Sequence, residues 1–451
     1  MRQPFFIVHR IYFSSTSKRS VYICNMSIEE LYQIFKQYPS VNTNSKKIVQ
    51  GDIFWALQGE NFDGNHFVED ALANGAAYAV IDNPASQIPG KTILVKDSLQ
   101  ALHDLAKYHR QQLNIPVIAI TGSNGKTTTK ELIHAVLSSG FKTYTTEGNL
   151  NNQYGIPRTL LKIKTDAEIA IVEMGANHLG EIAAYCTYTL PTHGLITNCG
   201  KAHLEGFGSE EGVRKGKGEL FDFLRRTKGT AFIMHDYDYL IDMSHHIPTV
   251  ITYGTKNASI EGEIVTSAPF LKIKITKGMQ PTEIQTKMIG DYNLPNILAA
   301  IAVGKYFALR DEKIKTAIQS YEPTNRRSQL VKKNGNTFIL DDYNANPSSM
   351  KAAIGHFAKQ DTASKILILG YMAELGTHSQ KEHQLLIDFI NRYNWHKVVL
   401  IGEAFKNTQH HFLYFDSSEN AKEWLEKENF TNKNILLKGS RTTHLEKILE
   451  P

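Results

Sequence analysis

Residues 117–133 read VIAITGSNGKTTTKELI, an apolar run that breaks into a glycine-rich turn and resumes as a helix-compatible segment. A strand–turn–helix of this kind gathers backbone N–H groups and the positive end of a helix dipole around one point, which makes an anion cradle. Gly122 and Gly125 keep side chains out of that cradle, with Ser123 and Asn124 between them. Lys126 supplies a point charge for β- and γ-phosphates, and Thr127, followed by Thr128, offers a hydroxyl to Mg2+. The element is the shorter G-x-x-G-K-T form, because Ile120 stands where the general phosphate loop has a further glycine. A corner with an accidental lysine would not need the glycines, the Lys-Thr pair and the helical sequel in this order. The stretch predicts binding of ATP or another nucleoside triphosphate.

Around it, β–α alternation continues through EIAIVEMG, THGLITNC and TAFIMH, short apolar runs with helical segments between them. That pattern predicts a parallel sheet covered on both faces. Upstream, Ser27 to about Ile115 alternates helix and strand signals and ends at Asn114-Ile115-Pro116, where the residue before proline disfavours helix. Downstream, from about Thr324, strand and helix repeat through TFILDDYNANP, KILILG, KVVLIG and NILLKGSR, the pattern of a doubly wound sheet. Three consecutive α/β domains are expected. They are 26–114, 115–323 with a P-loop ATPase-like parallel sheet, and 324–451 with a Rossmann-like sheet.

The totals narrow the classes. A chain of 451 residues with 41% hydrophobic and 21% charged residues is an ordinary globular composition, long enough for several domains. The net charge of +5 is spread out, its densest clusters being pairs such as Lys46-Lys47 and Arg225-Arg226, so no nucleic-acid partner is predicted. Cys24, Cys186 and Cys199 lack the paired spacing of a disulfide framework or zinc site. No apolar run approaches the ~18 residues of a membrane span. Residues 1–25 are basic, free of acidic residues and serine-containing, like a transit peptide, but His9 and Arg10 interrupt their apolar stretch. The reading preferred is that translation starts at Met26, the leader being a misassigned start or a disordered tail.

Open α/β sheets carry their functional loops at the carboxyl ends of strands. Glu173, after EIAIV, is a candidate Mg2+ carboxylate, and a solvated strand-end glutamate is the bland alternative. His203 lies in the loop GKAHLEGFGS, and Lys217 in a segment expected to be helical; each is weak alone and gains weight from its place behind the phosphate loop. Asn149, Asn151 and Asn152 crowd one loop, either as turn chemistry or as a grip on a polar substrate. Asp341, Asp342, Asn344 and Asn346 form a carboxylate and amide cluster at another strand tip, a better site candidate than a turn alone explains, with Asn344 and Asn346 as candidate substrate contacts. Lys438 to Arg441 could hold an anionic substrate group, or Ser440 could simply cap a helix.

Taken together, TGSNGKTTTKE, GNLNNQYGIP, EMGAN, the His203 loop, KGKGELF, GDYNLPN, NRRSQ, DDYNANPSSM, GYMAELG and KGSR occur in the order and spacing of the Mur ligases. From Met26 onward the chain most closely resembles their MurF branch, which joins UDP-N-acetylmuramoyl-tripeptide to D-alanyl-D-alanine. The resemblance implies ATP-dependent amide formation in which the tripeptide carboxylate becomes an acyl phosphate that the dipeptide amine attacks. It implies that Lys126 contacts the phosphates, that Thr127 and Glu173 serve one Mg2+, and that His203 serves a second. It implies that Lys217 is carbamylated by CO2, that Asn293 and Asn296 contact the nucleotide, and that Arg327 and Asp341 reach it from the third domain. The UDP group would be received by the Thr43–Lys46 segment, with Ser45 and Lys46, and by GENFDGNHF. A cytoplasmic monomer is expected. The chain departs from the family pattern at Asn44 and Lys46, where Asp and Arg are usual, and lysine cannot reproduce a bidentate arginine contact. It departs again at Tyr371, where an aspartate is usual. Two alternatives stand beside this reading: a neighbouring Mur ligase or folylpolyglutamate synthase with another substrate, and a non-catalytic nucleotide switch.

Overall fold

The computed structural model describes residues 26–324, 326–361 and 364–450, so the expectation for residues 1–25 lies outside the described residues. The chain divides into two compact units between Leu102 and His103.

In the first unit, α1 (Ile28–Gln37) opens on a capping box in which Ser27 Oγ accepts from Glu30 N and Glu30 accepts from Ser27 N. There follow β1 (Val41–Asn42), β2 (Ile53–Trp55), β3 (Gln58–Gly59), β4 (Phe62–Asp63), α2 (Val68–Ala73), β5 (Tyr78–Ile81), β6 (Thr92–Leu94) and the start of α3 (Ser98–Gln111). The sheet runs β1-β2-β5-β6, all parallel. Phe54, Ala79 and Ile81 pack with Val68 and Ala71 of α2. Ser45 is buried and its carbonyl accepts from Asn74 Nδ2 at 3.0 Å, whereas Lys46 is exposed. At the end of the GENFDGNHF loop, buried Asn65 donates to Asp82 Oδ1 at 2.8 Å.

The second unit holds two sheets. The first begins with β7 (Val117–Thr121), α4 (Lys126–Ser138), β8 (Thr143–Thr145), α5 (Gly155–Leu161) and β9 (Ile169–Glu173). It continues through α6 (Glu181–Thr189), β10 (His193–Ile196), α7 (Leu204–Phe207), α8 (Glu210–Thr227), β11 (Thr230–Met234), α9 (Asp238–Met243) and β12 (Thr249–Gly254). It closes with β13 (Ile260–Thr266), β14 (Lys272–Lys277), β15 (Thr282–Gln285), α10 (Leu294–Tyr306) and α11 (Asp311–Ser320). Its nine strands run β15-β14-β13-β12-β11-β10-β7-β9-β8. The strands from β8 to β13 are parallel, as expected. The strand-rich stretch after Val250 departs from that plan: β14 and β15 run antiparallel at one edge, because tight turns rather than helices link β13, β14 and β15. The chain leaves β7 in one direction to β8 and β9 and returns on the other side to β10, so β7 ends at the switch point where such sheets bind ligands.

The other sheet comprises β16 (Gln329–Lys333), β17 (Asn336–Leu340), β18 (Lys365–Gly370), β19 (Lys397–Ile401), β20 (Leu413–Phe415) and β21 (Asn434–Lys438), with α12 (Pro347–Lys359), α13 (Ser379–Ile390) and α14 (Ser418–Glu428). Its order is β16-β17-β21-β18-β19-β20, parallel apart from the β16–β17 hairpin. Ile366, Ile368, Val399, Ile435 and Leu437 form its core.

The division between units falls inside α3, and two side chains tie the end of that helix to the second unit. Buried His109 Nε2 lies 2.7 Å from the Ile163 carbonyl. Arg110, buried with no acidic partner among the described residues, donates to the carbonyls of Leu113 (2.6 Å), Thr189 (3.1 Å), Ile115 and Leu190. One guanidinium thus satisfies four carbonyls at the entry to β7. Arg110→Met is expected to lower stability by about 2–4 kcal/mol, since those acceptors stay buried and lose their donor. Urea unfolding measures it, and an unchanged midpoint would show that the carbonyls find water instead.

Candidate active site

The phosphate loop forms as the sequence predicts. Gly122 has φ +143° and Gly125 φ +78°, both in the region that favours glycine. A Cβ on Gly122 would collide with Thr197 Oγ1, and one on Gly125 would meet Asn296 Oδ1 at 2.7 Å. The loop is braced by the tip of β10. Ser123 N donates to Asn198 O at 2.9 Å, Asn124 N to Asn198 Oδ1 at 3.0 Å, and Thr197 Oγ1 to Asn124 O at 2.6 Å. The first turn of α4, Lys126 to Thr128, lines a cavity of about 1130 Å³. Its leading N–H groups have no partner within the helix. Lys126 Nζ donates to Gly122 O at 2.6 Å and Ser123 O at 3.3 Å. Burial pulls its pKa down, against the attraction of Glu173 and Glu374. Behind the loop, α10 is apolar on nearly every face and packs on α4. At its N-terminus stands the predicted pair, Asn293 at the cap and Asn296 in the first turn: Asn296 accepts from Thr129 Oγ1 at 3.0 Å and donates to Asn293 Oδ1 at 2.8 Å.

Beside the loop, Glu173 ends β9 almost fully buried. Its Oε1 accepts from Thr127 Oγ1 at 3.1 Å and from Asn151 Nδ2 at 2.9 Å, while its Oε2 is buried without a hydrogen-bond partner. A carboxylate in that condition is not the solvated strand end of the bland reading. Lys217, on α8, is 1% exposed. Its Nζ donates to Ala176 O at 2.8 Å and sits 5.0 Å above the Phe207 ring. Burial, and then the charge of Lys126, push its pKa down to about 7. His203 adopts a left-handed φ of +51° and its Nδ1 lies 2.6 Å from Glu374 Oε2, off the axis of a hydrogen bond. Glu374, in the loop after β18, went unrecognised in the sequence.

The C-terminal sheet adds the tips of β17 and β21. Arg327 stacks on Tyr343 at 4.0 Å and reaches the cavity. Asp341 lines it too, held by Lys438 Nζ at 2.6 Å and by Ser328 N at 3.2 Å. Lys438 is therefore committed to Asp341, and Ser440 makes no side-chain cap. The amides divide. Asn151 holds Glu173, whereas Asn152 Oδ1 accepts from Gly155 N at 3.0 Å, the turn chemistry that was its alternative. Asn149 is exposed on the cavity rim, Asn344 Oδ1 accepts from Ala345 N, and Asn346 donates to Asn124 Oδ1 at 2.7 Å. One cavity thus gathers Ser123 to Thr128, the asparagine loop, Glu173, His203, Asn293, Asn296, Arg327, Asp341, Asn344 and Asn346. Gly122 and Lys217 lie behind its wall, and Ser45 and Lys46 belong to the first unit.

Profiles of three families match consecutive stretches: the Mur ligase family catalytic domain over residues 37–110, the Mur ligase middle domain over 120–304 and the Mur ligase glutamate ligase domain over 326–441. The UDP-N-acetylmuramoyl-tripeptide–D-alanyl-D-alanine ligase of Bacillus subtilis (strain 168) is 36% identical over 349 residues, 76% of each chain. The chain belongs to the Mur ligase family. Among solved structures, MurF from Acinetobacter baumannii superposes with a TM-score of 0.82 at 29% identity, covering 91% of this Mur ligase and 92% of that chain. MurF from Thermotoga maritima in complex with ADP gives 0.81 at 25% identity, over 91% and 96%. The three-domain α/β organisation of this Mur ligase is that of these structures.

Proposed function

We propose that this Mur ligase forms an amide bond between UDP-N-acetylmuramoyl-tripeptide and D-alanyl-D-alanine at the expense of ATP, in peptidoglycan precursor synthesis. The observation that carries it is the Glu173 site: a buried carboxylate with one oxygen unpartnered, next to a phosphate loop, in one cavity with groups from two sheets. That carboxylate suits the Mg2+ of an ATP-dependent step, and the choice of tripeptide and D-alanyl-D-alanine is supported by the name of the 36%-identical relative.

Thr127 and Glu173 are hard oxygen donors that suit Mg2+, and among the described residues no three of His, Cys, Asp or Glu converge to hold a metal unaided. Bound there, Mg2+ would neutralise phosphate charge. Lys217, its pKa lowered to about 7 so that a large share is neutral near neutral pH, would add to CO2 through its amine, releasing a proton and becoming an anionic oxygen donor for a second Mg2+ with His203. Lys126 and the first-turn amides of α4 hold the γ-phosphate in line with the tripeptide carboxylate, whose oxygen forms the acyl phosphate as ADP leaves. The dipeptide amine then attacks the acyl carbon, and phosphate departs. Asn293 and Asn296 flank the nucleotide, and Arg327 and Asp341 approach it from the β16–β17 side. In the first unit, Ser45, Lys46 and the GENFDGNHF loop receive the UDP group. We place the enzyme in the cytoplasm, as a monomer, where a nucleotide-linked precursor would be made; among the described residues no helix is long and apolar enough to cross a membrane.

The test is phosphate release from ATP by the purified protein. Release is expected only with UDP-N-acetylmuramoyl-tripeptide and D-alanyl-D-alanine both present. Full release with the dipeptide replaced by a single amino acid would point to a neighbouring Mur ligase.

A further inference from the structure

Asn346 stands at the head of α12 and works in two directions. Its Oδ1 accepts from Ser349 N at 3.0 Å while Ser349 Oγ accepts from Asn346 N at 3.1 Å, so it caps the helix. Its Nδ2 donates to Asn124 Oδ1 at 2.7 Å. Asn124 is the centre of the phosphate loop, and its backbone is already gripped from the β10 tip by Thr197 and Asn198. Its side chain is thus turned toward α12. Parallel contacts run alongside: Lys201 N donates to Ser348 Oγ at 3.1 Å, and Lys201 Nζ pairs with buried Glu382 of α13 at 2.8 Å. The short loop that leads into Asn346 carries Asp341, Tyr343 and Asn344 into the cavity.

We propose that Asn346 is a positioning residue for the ligation, setting the β17–α12 loop against the phosphate loop through Asn124 in place of the substrate contact expected of it. The inference rests on the reading that ATP occupies the loop. Both ends of the Asn346 amide are committed within the protein, one to the cap and one to Asn124. A displacement of Asn124 is therefore passed to the loop that brings Asp341 and Tyr343 to the nucleotide, and the chemical step feels it more than substrate binding does.

Asn346→Ser keeps a good helix cap but is too short to reach Asn124. Asn124→Ala removes the bridge from the other end. Each is expected to lower kcat about five- to tenfold, the loss of one hydrogen bond, with KM for tripeptide precursor and dipeptide changed less than about twofold. The double variant should be no slower than the slower single variant. The idea is overturned if the two losses multiply, if either variant has wild-type kcat, or if Asn346→Ser raises the dipeptide KM at constant kcat. Thermal unfolding checks that Asn346→Ser folds, and if it does not, Asn124→Ala alone decides by the same kcat and KM criteria. An inactive wild type would refute the functional reading instead. The bridge would then be read from ADP affinities of the same four proteins, where additive losses overturn it and non-additive ones support it.

Discussion

Lys126→Ala is expected to abolish ligation, with turnover falling about a thousandfold or more. The ammonium is drawn inward by the carbonyls of Gly122 and Ser123, so it stands inside the turn that presents the first-turn amides. Its surroundings are desolvated enough to depress its pKa, and a charge acts more strongly there than in water. Removing it takes away the γ-phosphate's fixed counter-charge and also two hydrogen bonds that hold the loop closed. Single-turnover measurements with saturating ATP separate the two losses. A variant that binds ADP normally but transfers no phosphate has lost the charge, and one that turns over near the wild-type rate would remove the phosphate-loop assignment.

Lys217→Ala is expected to be nearly inactive and to recover part of its activity in a short carboxylic acid, which would supply the oxygen donor a carbamate provides. The pKa near 7 would give the proposed reaction with CO2 a pH dependence of definite sign. Above about pH 7 the folded-state amine is neutral and nucleophilic, and below it the ammonium cannot add to CO2, so activity should fall as pH drops through 7. The same shift works against the fold. In the unfolded chain the lysine keeps a pKa near 10.4, so the cost of burying it is fully present below about pH 7 and is relieved progressively as pH rises from there toward about 10.4. Bicarbonate depletion supplies the control: a wild type indifferent to it, or a fully active Lys217→Ala, would strike carbamylation from the mechanism.

What could be read in advance follows a physical line. The phosphate loop was legible because its conformation demands glycine at Gly122 and Gly125 and its chemistry demands Lys126 and Thr127, all within a few residues. Glu173 was legible only as a position, a strand end. Its burial and its unpartnered oxygen depend on Asn151 and Thr127, which no local pattern links to it. Asn152 and Asn151 are neighbours of one type, yet one caps a turn and the other holds a carboxylate, a difference set by packing alone. The antiparallel β14–β15 edge escaped because short strands alternate alike in either direction, and Glu374 escaped because a loop glutamate carries no signal of its partner. Arg110 carried no signal in the sequence, because its role lies in carbonyls as distant as Leu190.

The wall of the phosphate loop comes from far along the chain. Thr129 finds its acceptor in Asn296, and Gly125 faces the same side chain. During synthesis on a ribosome, which adds residues at about 5–20 per second, the loop emerges long before its backing helix. For that interval the nascent protein carries a glycine loop with no rear support, even after β10 has taken its place beside β7. A chain released before α10 would carry the whole phosphate-binding motif without the Asn296 wall behind it, so premature termination is expected to yield fragments that hold ATP less tightly than the full chain.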